Sequence, residues 1–256
     1  LFNIQILWAA ISVNMVIALA QMLIVGIGQM NLSVGAIGGL VAISFAGLMD
    51  VFQLPIPLAV LMGLLIGLAA GLFNGVIIAF TGISAFIITL ASLSVFKGIN
   101  LGITEAQPFY GVAESVKSFG NSSLLGTLPL LIIPMLVCSV GVWALLNRMR
   151  YGRHLLAVGA SPTSASLVGI SVRNIVIGTH ALSGLLAAVA GMMVVARLQI
   201  VQPTIGDDWL ILSFAAPVIG GAVLAGGHVN VIGTLLGVTT IAIITQALVL
   251  FEIDPF

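Results

Sequence analysis

Long apolar segments separated by short polar stretches dominate the chain. About eight of these segments are candidates for membrane helices, given that a full crossing needs about 20 apolar residues; they cover residues 7–27, 36–49, 58–80, 85–96, 127–146, 175–196, 209–224 and 229–250. Their apolar residues run continuously instead of alternating, which favours helices over barrel strands. We therefore expect an all-α, polytopic membrane protein, with residues 1–256 forming a single transmembrane domain.

Polar interruptions predict that some of these helices are broken. Gln29, Asn31 and Ser33 lie between Gly28 and Gly35, inside an otherwise apolar stretch. Backbone groups freed by such a break must face protein or a water-filled cavity. The short segments 29–49 and 209–227 are therefore either crossings or re-entrant segments.

A weak internal similarity links the third segment to the last one. Gly63 and Gly67 in the sequence GLLIG align with Gly233 and Gly237 in GTLLG. The predicted crossings run in opposite directions, which indicates an inverted repeat, a common plan for transporters. The alternative is a chance match between two glycine-rich apolar stretches.

The segment 147–174 carries four of the seven basic residues: Arg148, Arg150, Arg153 and Arg173. Because lysine and arginine concentrate in cytoplasmic loops, this segment is predicted to be cytoplasmic. The polar regions 98–126 and 198–208 then fall on the outer face. The same count puts both chain ends outside, so we expect about ten membrane segments in the intact protein.

The composition excludes several classes of function. The chain is 61% hydrophobic and 5% charged, whereas soluble domains carry about 25% charged residues. Its zero net charge gives no electrostatic basis for binding nucleic acid. A Walker phosphate loop, a zinc-protease motif and a serine–histidine arrangement are all absent, so we expect neither an enzyme nor a cofactor. A single cysteine, Cys138, excludes an internal disulfide and a cysteine-based metal site.

Neutral polar side chains in or near the spans are the candidates for lining a path: Asn31, Ser33, Asn74 and Gln246. Amides and hydroxyls suit the passage of a neutral polar solute such as a sugar. The structural alternative is hydrogen bonding between helices.

The predicted cytoplasmic segment 147–174 is also a candidate for a function other than setting the orientation of the chain in the membrane. Pro162 suits the first turn of a short helix, and Gly169 suits its end. A pore protein that cannot hydrolyse ATP is either a channel or receives energy from a partner. A short exposed helix suits the second case, whereas the alternative is an ordinary loop.

Four stretches resemble permease subunits of ABC importers for ribose, other monosaccharides and autoinducer-2. They are YGRHLLAVGASPTSASLVGISV at 151–172, MNLSVGAIGGL at 30–40, ALSGLLAAVAGMMVVARLQIVQPT at 181–204 and VIGGAVLAGGHVNVIGTLLG at 218–237. Two positions depart from that family's pattern. Asn31 stands where an aspartate is frequent, and 210–212 lacks a Glu-Leu-Asp, so ribose itself is not the expected solute.

The resemblance implies partners and a site. A cytoplasmic ATP-binding cassette ATPase would grip a coupling helix, and a periplasmic or extracellular solute-binding protein would deliver the solute. A second permease subunit would complete a homodimer or heterodimer in the bacterial inner (plasma) membrane. The residues implied for contact with the ATPase are Gly159, Ala160, Ser161, Pro162, Thr163, Ser164, Ala165, Ser166 and Gly169. The alternatives are a branched-chain amino-acid permease and an ATP-independent channel.

Overall fold

A computed structural model describes residues 2–124, 128–198 and 200–250. Its helices are α1 Phe2–Gly26, α2 Val34–Asp50, α3 Ile56–Thr81, α4 Ala85–Thr104, α5 Glu114–Asn121, α6 Ile132–Arg148, α7 Arg150–Ala160, α8 Pro162–Leu167, α9 Val172–Leu198, α10 Trp209–Ile219 and α11 Val231–Leu250. Two short antiparallel strands, β1 Ser123–Leu124 and β2 Leu128–Pro129, pair between α5 and α6. Residues 125–127, at the end of the predicted outer loop 98–126 and the start of the predicted segment 127–146, lie outside the described residues.

The all-α membrane architecture is confirmed, but the predicted number of crossings is not. Within the described residues, five helices are long and apolar enough to span a membrane: α1, α3, α4, α9 and α11. The pair α6 and α7, bent by 74°, raises this number to six if it forms one span. Helices α2 and α10 are shorter, and the inverted repeat is not confirmed.

The helices α1, α2 and α9 form the centre of the bundle. Nearly every described side chain of α1 beyond Ala10 is buried, including Met15, Leu19 and Leu23. By contrast, α3, α4 and α11 each expose a broad apolar face. The exposed face is the expected lipid side, because lipid tails solvate apolar side chains as well as a protein core does.

A glycine seam joins α3 to α9. Gly63, Gly67, Gly71 and Gly75 recur at every fourth position of α3 and therefore share one helix face. A Cβ at Gly71 would fall on the carbonyl oxygen of His180, and one at Gly67 would lie 2.5 Å from the Cβ of Ala188. The two backbones are thus in direct contact, and the packing depends on the missing side chains.

The last helix repeats this kind of contact on another partner. A Cβ at Gly233 would fall on the carbonyl oxygen of Gly220, and one at Gly237 on that of Ala216. Both glycine pairs that aligned in the sequence therefore mediate close helix packing. The shared requirement for small residues explains their similarity without any need for a repeat.

Helix α4 is longer than the predicted 85–96 segment, and the outer loop is correspondingly shorter. Residues 98–104, predicted as loop, continue the helix because the polar groups of Asn100 and Thr104 turn inward. Both residues are buried, and the Thr104 hydroxyl donates to the Asn100 carbonyl at 2.8 Å. Lys97 consequently lies inside a membrane helix. Lys97 directly follows the predicted end of that segment at residue 96, and the structure includes it in the helix.

Candidate functional site

The predicted interruption after the first helix is present as a helix break, residues 27–33. Helix α1 ends at Gly26, and Gly28 adopts φ +71°, a left-handed conformation that glycine reaches without steric cost. A Cβ at Gly28 would also lie 2.8 Å from the carbonyl oxygen of Ala225. Both properties restrict this position to glycine.

Buried hydrogen bonds fix the helix break. The carbonyl oxygen of the Asn31 amide accepts from the Ser33 hydroxyl at 2.7 Å and from the Ser33 N–H at 2.9 Å. The Asn74 amide on α3 donates to the Ser33 hydroxyl at 2.8 Å. Gln21 on α1 holds the Asn31 backbone when its amide is oriented to donate to the carbonyl (3.0 Å) and accept from the N–H (3.3 Å). The Leu32 N–H donates to the hydroxyl of Thr89 on α4 at 3.0 Å.

A second buried contact adjoins this cluster. The His180 Nε2 and the Gln29 Oε1 lie 3.0 Å apart, and the His180 side chain is completely buried. This pair joins α9 to the helix break. Together with the contacts made by Asn74 and Thr89, it connects the break to α9, α3 and α4.

Three of the four predicted path residues are therefore neighbours, and the fourth is separate. Asn31, Ser33 and Asn74 are fully buried. The Asn31 Nδ2 and the Asn74 Oδ1 have no hydrogen-bond partner among the described residues. Gln246 instead lines a cavity of about 340 Å³ between α1, α9, α10 and α11, with the polar side chains of Asn14, Arg197, Asp208 and Thr245.

The Ser33→Ala substitution is expected to destabilise the protein, because Ser33 connects the two amides of the cluster. Loss of its hydroxyl leaves the Asn74 donor buried and unpaired, at a cost of about 1–3 kcal/mol in the free energy of unfolding. Thermal unfolding in detergent measures the effect. Thr240→Ala is the matched control, since that exposed hydroxyl donates to the Leu236 carbonyl of its own helix. Equal unfolding midpoints for the two variants would contradict the structural role of Ser33.

The predicted short cytoplasmic helix corresponds to α8. Pro162 begins it, and the Ser161 hydroxyl caps it by accepting from the Ser164 N–H at 3.2 Å. Gly169, at φ +84°, follows its end. Ala165 is buried against the bundle. The remainder of 147–174 is more helical than predicted, because α7 covers 150–160 and includes Gly159 and Ala160.

Two apolar side chains at the end of α8 were missed by the sequence analysis. Leu167 is 83% exposed and Val168 is 76% exposed. The available signal was the apolar pair itself, directly after the polar stretch 161–166 in a segment with four arginines. Both side chains are therefore available for contact with another molecule.

A glycine junction, formed by Gly26, Gly159, Gly226 and Gly227, connects this region to the membrane helices. The Gly227 N–H donates to the Gly26 carbonyl at 3.0 Å. A Cβ at Gly159 would fall on that same carbonyl oxygen, and one at Gly226 would lie 2.7 Å from the Gly159 carbonyl oxygen. The end of α7 thus touches both the end of α1 and the turn between α10 and α11.

Helix α7 is also fixed to α9. The Tyr151 hydroxyl donates to the Ile175 carbonyl at 3.1 Å and lies 3.1 Å from the Thr179 hydroxyl. Helix α7, which precedes α8, thus contacts α1, α9 and the turn before α11.

Comparison with known proteins defines the class of this membrane protein. Residues 3–255 match the family described as "Branched-chain amino acid transport system / permease component". The chain belongs to this family of transport permeases. The resemblance to permease subunits of ABC importers is thereby confirmed.

Individual relatives cover nearly the whole chain. It is 34% identical to "Ribose import permease protein RbsC" of Bacillus subtilis (strain 168), over 99% of this chain and 79% of the relative. It is 31% identical to "D-allose transport system permease protein AlsC" of Escherichia coli (strain K12), over 99% and 78%. It is 34% identical to "Autoinducer 2 import system permease protein LsrD" of Enterobacter sp. (strain 638), over 91% and 72%. No solved structure gives a significant match.

Proposed function

We propose that this chain is the membrane-spanning permease subunit of an ABC importer, forming the translocation path for a sugar or similar small polar solute. The relatives named for ribose, D-allose and autoinducer 2 support this class of solute. Energy comes from a separate cytoplasmic ATPase. A solute-binding protein on the outer face and a second permease subunit complete the importer in the bacterial inner membrane.

The observation that carries the proposal is the exposed apolar end of α8. Leu167 and Val168 present their side chains to solvent, while the junction and Tyr151 connect this region to the membrane helices. A helix built in this way can receive force from a protein partner. A channel that needs no motor has no use for such a surface.

The topology proposed here has eight crossings, with 147–174 in the cytoplasm. The short helices α2 and α10 count as crossings when the segments that precede them, 27–33 and 200–208, are included. Their starts meet inside the bundle, since a Cβ at Gly35 of α2 would fall on the carbonyl oxygen of Gly206 just before α10. A partial crossing completed by irregular backbone is tolerated where that backbone is buried in protein.

The proposed path uses neutral polar groups. In this structure Asn31, Ser33 and Asn74 hold the helix break, and opening of the path would expose them to the solute. Gln246 lines the cavity on the outer side. A branched-chain amino-acid permease is the second candidate, because the matching family carries that description. Uptake of D-ribose, D-allose and leucine by the reconstituted importer distinguishes the two.

The coupling role is tested by replacing both exposed apolar side chains of α8 with aspartate, Leu167→Asp and Val168→Asp. We expect binding to the cognate ATPase to weaken by about 10- to 100-fold, because two desolvated anchors are lost. Co-purification and ATP-driven uptake in vesicles measure the effect. The control is Asn147→Asp, which adds a charge at an exposed cytoplasmic position outside α8.

The outcome that would contradict coupling through α8 is retained ATPase binding with unchanged ATP-driven uptake in the double variant. Uptake that proceeds without any ATPase would favour the channel alternative. Uptake with and without the ATPase is measured on the same vesicles, so a failure of coupling through α8 can be distinguished from ATP-independent transport.

A further inference from the structure

One ion pair involves α4, a helix that is long and apolar enough to span a membrane. The Lys97 Nζ and the Asp207 Oδ1 are 2.8 Å apart, and no other salt bridge occurs among the described residues. The pair joins α4 to the segment 200–208 that leads into α10. Neither residue belongs to the sites described above.

The depth of the pair follows from its helix and its neighbours. At about 1.5 Å per residue, Lys97 lies about 18 Å from the start of α4 and about 10 Å from its end. Asp207 directly follows Gly206, whose carbonyl oxygen packs on Gly35 at the start of α2. The pair therefore lies about two helical turns before the end of α4.

The position of Asp207 is fixed by tight packing on α2. A Cβ at Gly38 would fall on the indole ring of Trp209, and one at Gly39 would fall on the carbonyl oxygen of Ile205. The Asp207 N–H donates to the Thr204 carbonyl at 3.2 Å. The carboxylate is thus held at this depth by backbone contacts, without relying on the lysine.

The exposed fraction of the pair is unfavourable in lipid. The Lys97 side chain is 39% exposed and that of Asp207 is 45% exposed. Charged groups in the bilayer are expensive, and those that occur face the protein interior or a water-filled cavity. This surface must consequently be wet or covered by protein.

Further polar groups adjoin the pair on α4. Ser94 lies one turn before Lys97 and is exposed, whereas Asn100 lies one turn after it and is buried. The Asn100 Oδ1 has no partner among the described residues. Exposed apolar side chains adjoin both flanks of α4: Leu90 and Leu101 lie near Ser94 and Lys97, and Val95 and Ile99 lie on the flank opposite Lys97.

We propose that Lys97, Asp207 and Ser94 form the wet wall of the translocation path and contact the solute as it passes. This assignment rests on the proposed function. The carboxylate accepts hydrogen bonds from solute hydroxyls, and the ammonium and the serine hydroxyl provide the complementary donors. Because the pair is neutral as a whole, it suits a neutral polyhydroxyl solute.

The test is thiol accessibility in the reconstituted importer, in a Cys138→Ala background that removes the native cysteine. We expect Ser94→Cys to react with a membrane-impermeant, positively charged methanethiosulfonate reagent at least about tenfold faster than Val95→Cys. The second cysteine lies at nearly the same depth on the flank opposite Lys97. Gly98→Cys is a further variant for the wet side, because a side chain there meets open space.

Labelling of Ser94→Cys is also expected to abolish ATP-driven uptake of D-ribose or D-allose, whichever the unlabelled importer transports. Equal reaction rates for Ser94→Cys and Val95→Cys would overturn the proposal, as would complete labelling without loss of uptake. If the unlabelled importer transports neither sugar, the proposed solute class fails, and the reaction rates still decide whether this wall is wet.

Discussion

The Gly71→Leu substitution is expected to prevent formation of the folded protein. Gly71 lies in the middle of the seam between α3 and α9, where a Cβ would fall on the His180 carbonyl and meet the Cα atoms of Ala181 and Gly184 at 3.1 Å. Overpacking against side chains costs about 1–3 kcal/mol. Here the obstacle is backbone, so the helices must separate and we expect a loss of about 3 kcal/mol or more.

Size-exclusion chromatography in detergent and thermal unfolding measure this result. Gly141→Leu is the matched control, because Gly141 lies on the exposed side of α6 and a Cβ there would have nothing within 4 Å. That change also replaces glycine with a better helix former. A monodisperse Gly71→Leu protein that unfolds at the temperature of the control would show that the seam is not required for folding.

The sequence predicted those elements whose signals are local. The helix break at 27–33 was expected from polar residues between glycines, and α8 from Pro162 and Gly169. Both features depend on backbone preferences that act within a few residues. The membrane helices α1, α3 and α9 were likewise predicted, because a long apolar run has few other structures available in a bilayer.

Features that depend on the direction of a side chain were not predicted. Asn100 and Thr104 lower the hydropathy of α4 and suggested a loop, although both turn inward and leave the helix intact. For the same reason the predicted segment ended at residue 96, one residue before Lys97. Hydropathy averages around the helix, and therefore does not distinguish a polar residue that faces the bundle from one that faces solvent.

Contacts between residues far apart in the chain also could not be predicted from the sequence. Asn31, Ser33 and Asn74 were chosen singly as path residues, and nothing in their spacing indicated that they bind each other. The glycine junction brings together residues near 26, 159 and 227, whose shared property is the absence of a side chain. The close approach of three backbone segments arises only when the helices pack, so no single position in the sequence indicates it.

The Gly159→Val substitution is expected to uncouple ATP hydrolysis from transport. The added side chain would fall on the Gly26 carbonyl and force the end of α7 away from α1 and from the turn at Gly226 and Gly227. The surface of α8 is unchanged, so ATPase binding should persist. Uptake should fall by about tenfold or more, the effect of about 1.4 kcal/mol on the transport step.

The measurement compares ATP hydrolysis and solute uptake by the same reconstituted importer. Gly141→Val is the control for adding an equal side chain to a helix where space is open, and Gly159→Ala is a milder change if the valine variant folds poorly. Unchanged uptake in both Gly159 variants would contradict transmission through the junction. Loss of ATPase binding would instead assign Gly159 to the partner surface. Retained hydrolysis with lost uptake is the result expected of a junction that connects α8, the proposed coupling helix, to the helix breaks.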